Sequence, residues 1–196
     1  MSKGEQTRQE IVDRALAIAG EIGLESLSLG ALAASLDLSK SGLFAHFRSK
    51  EALQVEVVQR AIDNFIRDVV VPALRRPRGE PRLRTLFDRH LEWIRGREKR
   101  GSCFFMTLTQ EYDDRPGPVR DLLVQSQRDW YDSIARAARI AVEEGHFRQD
   151  LDVDQLAFEM GGIGMVYQQA HKLLENPRAE EQAQSAFEAL VARSRA

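Results

Sequence analysis

Apolar residues recur along most of this chain at helical spacing, and polar or Pro/Gly breaks separate the runs. Ile11, Ala15, Ile18, Ala19 and Ile22 form one stripe over Thr7 to Ile22, and Gly23 follows where a left-handed C-terminal cap belongs. Residues 1–4 are polar and are expected to fray. Leu29, Leu32, Ala33 and Leu36 share a face over Leu29 to Leu36, behind the N-cap candidate Ser28. After the link Asp37-Leu38, Ser39 caps a second short helix, Lys40 to His46, and Ser49 caps a third beginning at Lys50. That third stripe runs through Leu53, Val57, Val58, Ala61, Ile62, Phe65, Ile66, Val69 and Val70, predicting one helix from Lys50 to about Leu74 with Pro72 near its end.

The segment Arg75 to Arg82 (RRPRGEPR) reads as a loop. Leu83 to about Glu98 is the next helix, and Gly96 with Arg95, Arg97, Lys99 and Arg100 marks its end. Gly101 to Tyr112 is short and apolar, a buried helix or, by periodicity alone, a strand. DDRPGP breaks the chain before a helix from Val119 to Glu144, which Gly145 stops. Asp152 or Asp154 caps a helix running to about Glu175, Asn176-Pro177 interrupts, and Arg178 to Ala192 is a last amphipathic helix. The fold class is therefore all-α, with about nine helices and no strand required.

Ser28 to Leu53 organises the rest. Two helices joined by so short a link must cross steeply, as in a helix-turn-helix, whose second helix enters the DNA major groove. Lys40 and Lys50 each open a helix, where the dipole disfavours a cation. Either lysine alone is compatible with simple solvation. The pair, flanking one short helix, favours a phosphate nearby.

The run SLGALAASLDLSKSGLFAHFRSKEAL, above all LSKSGLFAHF and RSKEAL, resembles the DNA-binding region of the TetR family of bacterial transcriptional regulators. The resemblance makes Lys40, Ser41, Gly42, Ala45 and His46 the DNA-facing positions and Lys50 the phosphate contact. Phe44 stands at the usual Tyr and Phe47 at the usual buried Phe. With the caps Ser28 and Ser39 these form the candidate DNA site. Three departures stand out: Phe44 lacks the hydroxyl, Ala45 is small, and Gly30 lies where several members carry Arg. The motif covers about a quarter of the chain, and the remainder matches in helical layout. The resemblance implies a DNA-binding domain at 1–49 and a larger helical ligand-binding and dimerisation domain at 50–196. It also implies a helix linking them and two C-terminal helices that pair two subunits.

Composition narrows the picture. Of 196 residues 43% are apolar and 30% charged, as in a globular chain, and the formal net charge of −2 gives no bulk attraction to nucleic acid. DNA binding must rest on local placement. No secretory pattern and no apolar run of bilayer length is present, so a cytoplasmic protein without a membrane partner is expected. The single Cys103 excludes an intrachain disulfide; it precedes an apolar stretch, as a buried structural thiol would, with a redox sensor as the alternative. The histidines at 46, 90, 146 and 171 lack metal-ligand spacing, and neither a phosphate-cradling loop nor a nucleophile elbow occurs. No enzyme, metal or cofactor is expected.

Two further features bear on function. Gly161, Gly162 and Gly164 sit inside a helix, at roughly 1 kcal/mol each relative to Ala, so something should compensate. Close approach of a second subunit would do so, as would packing within one subunit or a kink beside a cavity. With the resemblance, Gly161, Gly162, Met165, Phe187 and Leu190 become the candidate homodimer interface. Aromatic residues concentrate in the second domain among the polar side chains His90, Gln127, Gln168 and His171. Phe65, Trp93, Phe104, Trp130, Ile134 and Gln168 are the candidate ligand contacts. The expected protein is a homodimeric repressor, released from a palindromic double-stranded operator by a small apolar or aromatic effector. Two alternatives remain: control by a protein partner or by expression level, and an enzyme using a pair such as His90 with Glu111.

Overall fold

The computed structural model describes residues 3–96 and 104–195. Among these residues it contains helices and one isolated antiparallel bridge, Phe147 to Arg195. The order is α1 Lys3–Ile22, α2 Leu29–Ala34, α3 Lys40–Phe44 and α4 Lys50–Phe65, then a π-helical turn Ile66–Val70 and α5 Val71–Leu74. There follow α6 Glu80–Arg95, α7 Phe104–Tyr112, α8 Pro118–Glu143, α9 Val153–Gln168 with a π-helical turn Gln169–Leu173, and α10 Ala179–Ser194. With each π turn counted into its rod, these are nine helices among the described residues. Cys103 and the cluster Arg97, Lys99 and Arg100 lie outside the described residues.

Packing divides the chain into Met1–Asn64 with Glu98–Ser126, and Phe65–Arg97 with Gln127–Ala196. This differs from the expected division at residue 49, because Leu53, Val57, Val58 and Ala61 of α4 are buried in the first unit's core. Phe104, Leu108 and Tyr112 of α7 and Val119 and Leu123 of α8 join them there. The boundary thus falls inside α4 and inside α8.

In the first unit α1 buries Ile11, Val12, Ala15, Leu16 and Ala19, a face broader than the expected stripe. Ile22, expected on that stripe, is 54% exposed, because the helix ends at Gly23 with φ +87°. Helix α1 begins at Lys3, so the frayed start expected at residues 3 and 4 is instead helical. Leu32 and Ala33 of α2, Leu43 of α3 and Phe47 complete the three-helix core.

In the second unit α6 contributes Leu83, Leu86, Phe87, Leu91, Trp93 and Ile94, packed with α8, α9 and α10. Phe87 stacks on Phe187 of α10 at 3.9 Å between ring centroids. Helix α6 starts at Glu80, earlier than the expected Leu83, because Pro81 sits in its first turn, where a missing N–H costs nothing. Gly79 before it takes φ +85°, and His146 Nδ1 accepts the Glu80 amide at 3.2 Å. Glu80 is paired with Arg195 and Arg84, which hold its carboxyl at about 2.

The long helix from Lys50 is interrupted where the apolar stripe needed a straight rod. Pro72 has no amide to donate, and the chain widens into the π turn just before it, with Val71 N–H bonded to Ile66 O. The extra residue rotates the face, so Val69 is buried while Ile66 is 45% exposed.

Candidate functional site

The expected reading helix, α3, is short and its start is fixed by local hydrogen bonds. Ser28 Oγ accepts from Ala31 N at 3.4 Å to start α2. Asp37 takes φ +55° in the link, a conformation Asp tolerates better than most residues. Ser39 Oγ accepts from Gly42 N at 3.0 Å and shares a hydrogen bond with Ser41 Oγ at 3.0 Å. Leu43 alone of the five α3 residues is buried. Lys40, Ser41, Phe44 and Ala45 are exposed, and Gly42 and His46 are half-buried. Phe44, at 49% exposure, leaves a large apolar ring in water beside these polar groups.

Gly30 has a geometric reason. A Cβ there would lie 3.0 Å from Lys40 Cε, so the missing side chain makes room for the lysine stem. Ser49 Oγ accepts from Ala52 N at 3.0 Å and caps α4. Lys50 Nζ donates to Glu25 O at 2.6 Å, which uses one of its three donors.

The turn from α1 to α2 is gripped by α4 and α7. Glu111 of α7 accepts from Leu24 N at 2.9 Å and Glu25 N at 3.4 Å. The buried Gln54 Nε2 donates to Leu24 O at 3.2 Å. Tyr112 OH donates to Glu25 Oε2 at 3.1 Å, and burial together with that carboxylate pushes the phenol well above its usual range. These holders of the turn went unrecognised in the sequence, since Glu111 and Gln54 look like ordinary polar helix residues. Arg8, which binds the chain leaving α3, was also missed.

The second unit gathers a different set. The Phe65 ring meets Trp93, Trp130 and His90 edge-on, at centroid distances of 5.5, 5.0 and 6.0 Å. His90 is 5.0 Å from Trp130. The imidazole lies deep in the unit yet keeps part of its surface open; burial lowers it to about 4, so it is neutral near pH 7. Among the described residues its buried Nδ1 meets no hydrogen-bond partner, and neither does the buried Tyr167 OH. The Tyr167 ring stacks on His171 at 5.4 Å. Buried polar atoms are normally satisfied, so two such orphans in one unit call for an account.

Of the expected ligand contacts, Phe65, Trp93 and Trp130 come together, and Ile134 is buried in the same unit with Gln168 half-buried at the end of α9. Phe104 does not join them: it is 1% exposed in the first unit's core. The pairing of His90 with Glu111 is not formed, since Glu111 is spent on the α1–α2 turn.

The expected dimer contacts also divide. A Cβ on Gly161 would lie 2.5 Å from Tyr131 Cε1, and one on Gly164 2.6 Å from His90 Cε1. Those two glycines, of which Gly161 was expected at a subunit interface, admit side chains of their own subunit. Phe187 and Leu190, also expected at the interface, are 1% and 2% exposed and lie inside the second unit's core. Gly162, with no described residue within 4 Å of its Cβ position, and Met165, 51% exposed, remain on the outside. Phe158 and Val166 are exposed on the same helix at 68% and 66%. Beside them a groove of about 330 Å³ runs between α9 and α10, lined by Gly162, Val166, Ala170, Ala183 and Ala186 among others.

Comparison with known proteins agrees with this geometry. The family described as "Bacterial regulatory proteins, tetR family" matches residues 11–57, and "Tetracyclin repressor-like, C-terminal domain" matches residues 79–187. The HTH-type transcriptional repressor DhaR of Mycobacterium sp. (strain GP1) is 26% identical over 157 residues, which are 76% of this chain and 74% of that protein. A TetR transcriptional regulator from Chloroflexus aurantiacus J-10-FL has a similar structure, with a TM-score of 0.86, 21% identity, and 98% and 96% of the two chains covered. AibR in complex with isovaleryl coenzyme A and operator DNA aligns with a TM-score of 0.75 and 20% identity over 95% of this chain and 98% of that one. The helix-turn-helix of α2 and α3, the helical second part and these matches together establish that the chain belongs to the TetR family of transcriptional regulators.

Proposed function

We propose that this regulator is a homodimeric repressor that binds a palindromic operator and leaves it when a small uncharged apolar or aromatic molecule occupies the second unit. The observation that carries the DNA half is α3. It is a capped helix with a single buried residue, presenting Lys40, Ser41, Phe44 and Ala45 outward a short link after α2. Lys50 retains two ammonium donors for a phosphate.

A reading helix of five residues touches few base pairs, so useful specificity needs two copies. The exposed Phe158, Met165 and Val166 on α9, beside the alanine-lined groove, support this face as the place where the copies meet. The effector half rests on the orphaned Nδ1 of neutral His90 among Phe65, Trp93 and Trp130. A ligand bringing one hydrogen-bonding group on an apolar body would satisfy it. AibR, which shares the fold, was solved with both isovaleryl coenzyme A and operator DNA, so this architecture holds a small molecule and DNA in at least one protein.

The two reading helices must sit about 34–36 Å apart to enter successive major grooves. A molecule that binds better at another spacing shifts the population away from DNA, and by linkage DNA weakens the molecule. The test is binding to a duplex selected from randomised DNA, repeated across a broad set of neutral aromatic and aliphatic compounds. Release by some compounds, abolished by His90→Leu with DNA binding intact, is expected. No change in affinity with any compound would refute the effector half and leave control by a partner or by protein level.

A further inference from the structure

Arg8 lies near the start of α1, yet its guanidinium serves the far end of the reading helix. Nη1 donates to the His46 carbonyl at 2.7 Å. Nε donates to Glu56 Oε2 at 2.9 Å, and Nη2 donates to Glu56 Oε1. The guanidinium carbon stands 4.7 Å over the Phe47 ring centroid. One planar group therefore joins three elements: α1, the chain leaving α3, and α4.

The need for such a joint follows from α3 itself. The helix has five residues, and only Leu43 anchors it to the core. Its start is fixed by the Ser39 cap. At its end, Phe47 is 2% exposed, and the His46 carbonyl is held by Arg8. Open clefts of about 470 and 270 Å³ flank the guanidinium, one lined by Phe44 to Arg48, the other by Glu56, Gln59, Arg60 and their α1 neighbours. A lysine could supply the charge but not the fork, because bidentate pairing with Glu56 fixes the plane in which Nη1 meets His46.

Granting that α3 reads DNA, we infer that Arg8 is a positioning residue for that reading: it acts through His46 and Phe47, and its pairing with Glu56 commits its charge to the protein rather than to a phosphate. The sign of one substitution separates the alternatives. Removing an acid beside DNA should strengthen binding by electrostatics alone. If Glu56 instead aligns the fork, Glu56→Gln should weaken binding.

The experiment uses the full chain and a duplex selected from randomised DNA by the wild type. Arg8→Lys and Glu56→Gln should each lose about tenfold in affinity and relax sequence preference, with the salt slope unchanged. Arg8→Ala should behave likewise, and all three should speed amide exchange from Leu43 to Ser49. A salt slope lowered by about 1 in Arg8→Ala, near-full retention in Arg8→Lys, and tighter binding by Glu56→Gln would overturn the inference and make Arg8 a phosphate contact. Should the wild type enrich no duplex, the regulator's DNA-binding mode fails as read. The exchange measurement then still decides on Arg8, with unchanged rates in Arg8→Lys and Arg8→Ala refuting its hold on the α3 exit.

Discussion

At the scale of single residues, the clearest chemical statement concerns His90. Burial holds its imidazole at about 4, whereas an unfolded histidine titrates near 6.5. The unfolded chain therefore takes up a proton that the folded one refuses as pH falls through this interval. The associated stability is present above pH 6.5 and is lost toward pH 4, by up to about 3 kcal/mol. His90→Phe should flatten the pH dependence of thermal unfolding between pH 6.5 and 4, and an unchanged profile would contradict the burial argument. Glu80 adds acid lability lower down: its carboxyl, depressed to about 2 by Arg195 and Arg84, stabilises the fold above about pH 4.5 and less so below. Lys50 offers a different readout. Lys50→Ala should weaken binding about equally on all DNA sequences and lower the salt slope by roughly 1. A changed sequence preference at constant slope would instead assign the lysine to holding Glu25 O and the turn before α2.

At the scale of elements, α9 shows how much of a helix its sequence reveals. The cluster Gly161, Gly162 and Gly164 signals close approach, and that is legible from the helix-propensity cost alone. What approaches each glycine is not legible, because it depends on neighbours distant in sequence: Tyr131 at Gly161, His90 at Gly164, none of the described residues at Gly162. Substitution separates them. Gly161→Ala should destabilise by about 1–3 kcal/mol through overpacking against Tyr131. Gly162→Ala should leave subunit stability level or raised by up to about 1 kcal/mol, so any loss it causes must appear in self-association, measured by sedimentation. Val166→Asp, on the exposed face, should yield a monomer that folds but no longer binds a palindromic duplex. A Val166→Asp protein that stays dimeric would move the interface elsewhere.

The same limit explains the other differences. The helix expected from Lys50 to Leu74 is broken into α4, a π turn and α5, because Pro72 removes a donor from the ladder and periodicity alone does not register that loss. Pro81 could have been read as a helix start rather than as loop. Local signals succeeded where local chemistry decides: the caps Ser28, Ser39 and Ser49 are made as expected, and Asp152 rather than Asp154 caps α9. They failed where burial decides. Phe104 and Phe65 look alike in sequence, yet one is in the first unit's core and the other beside His90. Arg8 and Glu56 lie 48 positions apart, and no spacing rule links them.

At the scale of the molecule, the chain's charge is nearly balanced, so recognition of DNA cannot come from bulk attraction. As proposed, it comes from a few placed groups: an outward α3, lysines at two helix starts, and a joint at each end of α3. In the proposed dimer, duplication of that small surface by a second copy would supply the remaining specificity. The measurement that tests this account most directly is selection of the purified full-length protein on randomised duplex DNA. The account predicts a palindromic motif with half-site centres about one helical turn apart, lost in Val166→Asp and altered in base preference by Ser41→Ala or His46→Ala. Enrichment of a single asymmetric half-site, or a motif indifferent to Ser41 and His46, would contradict it.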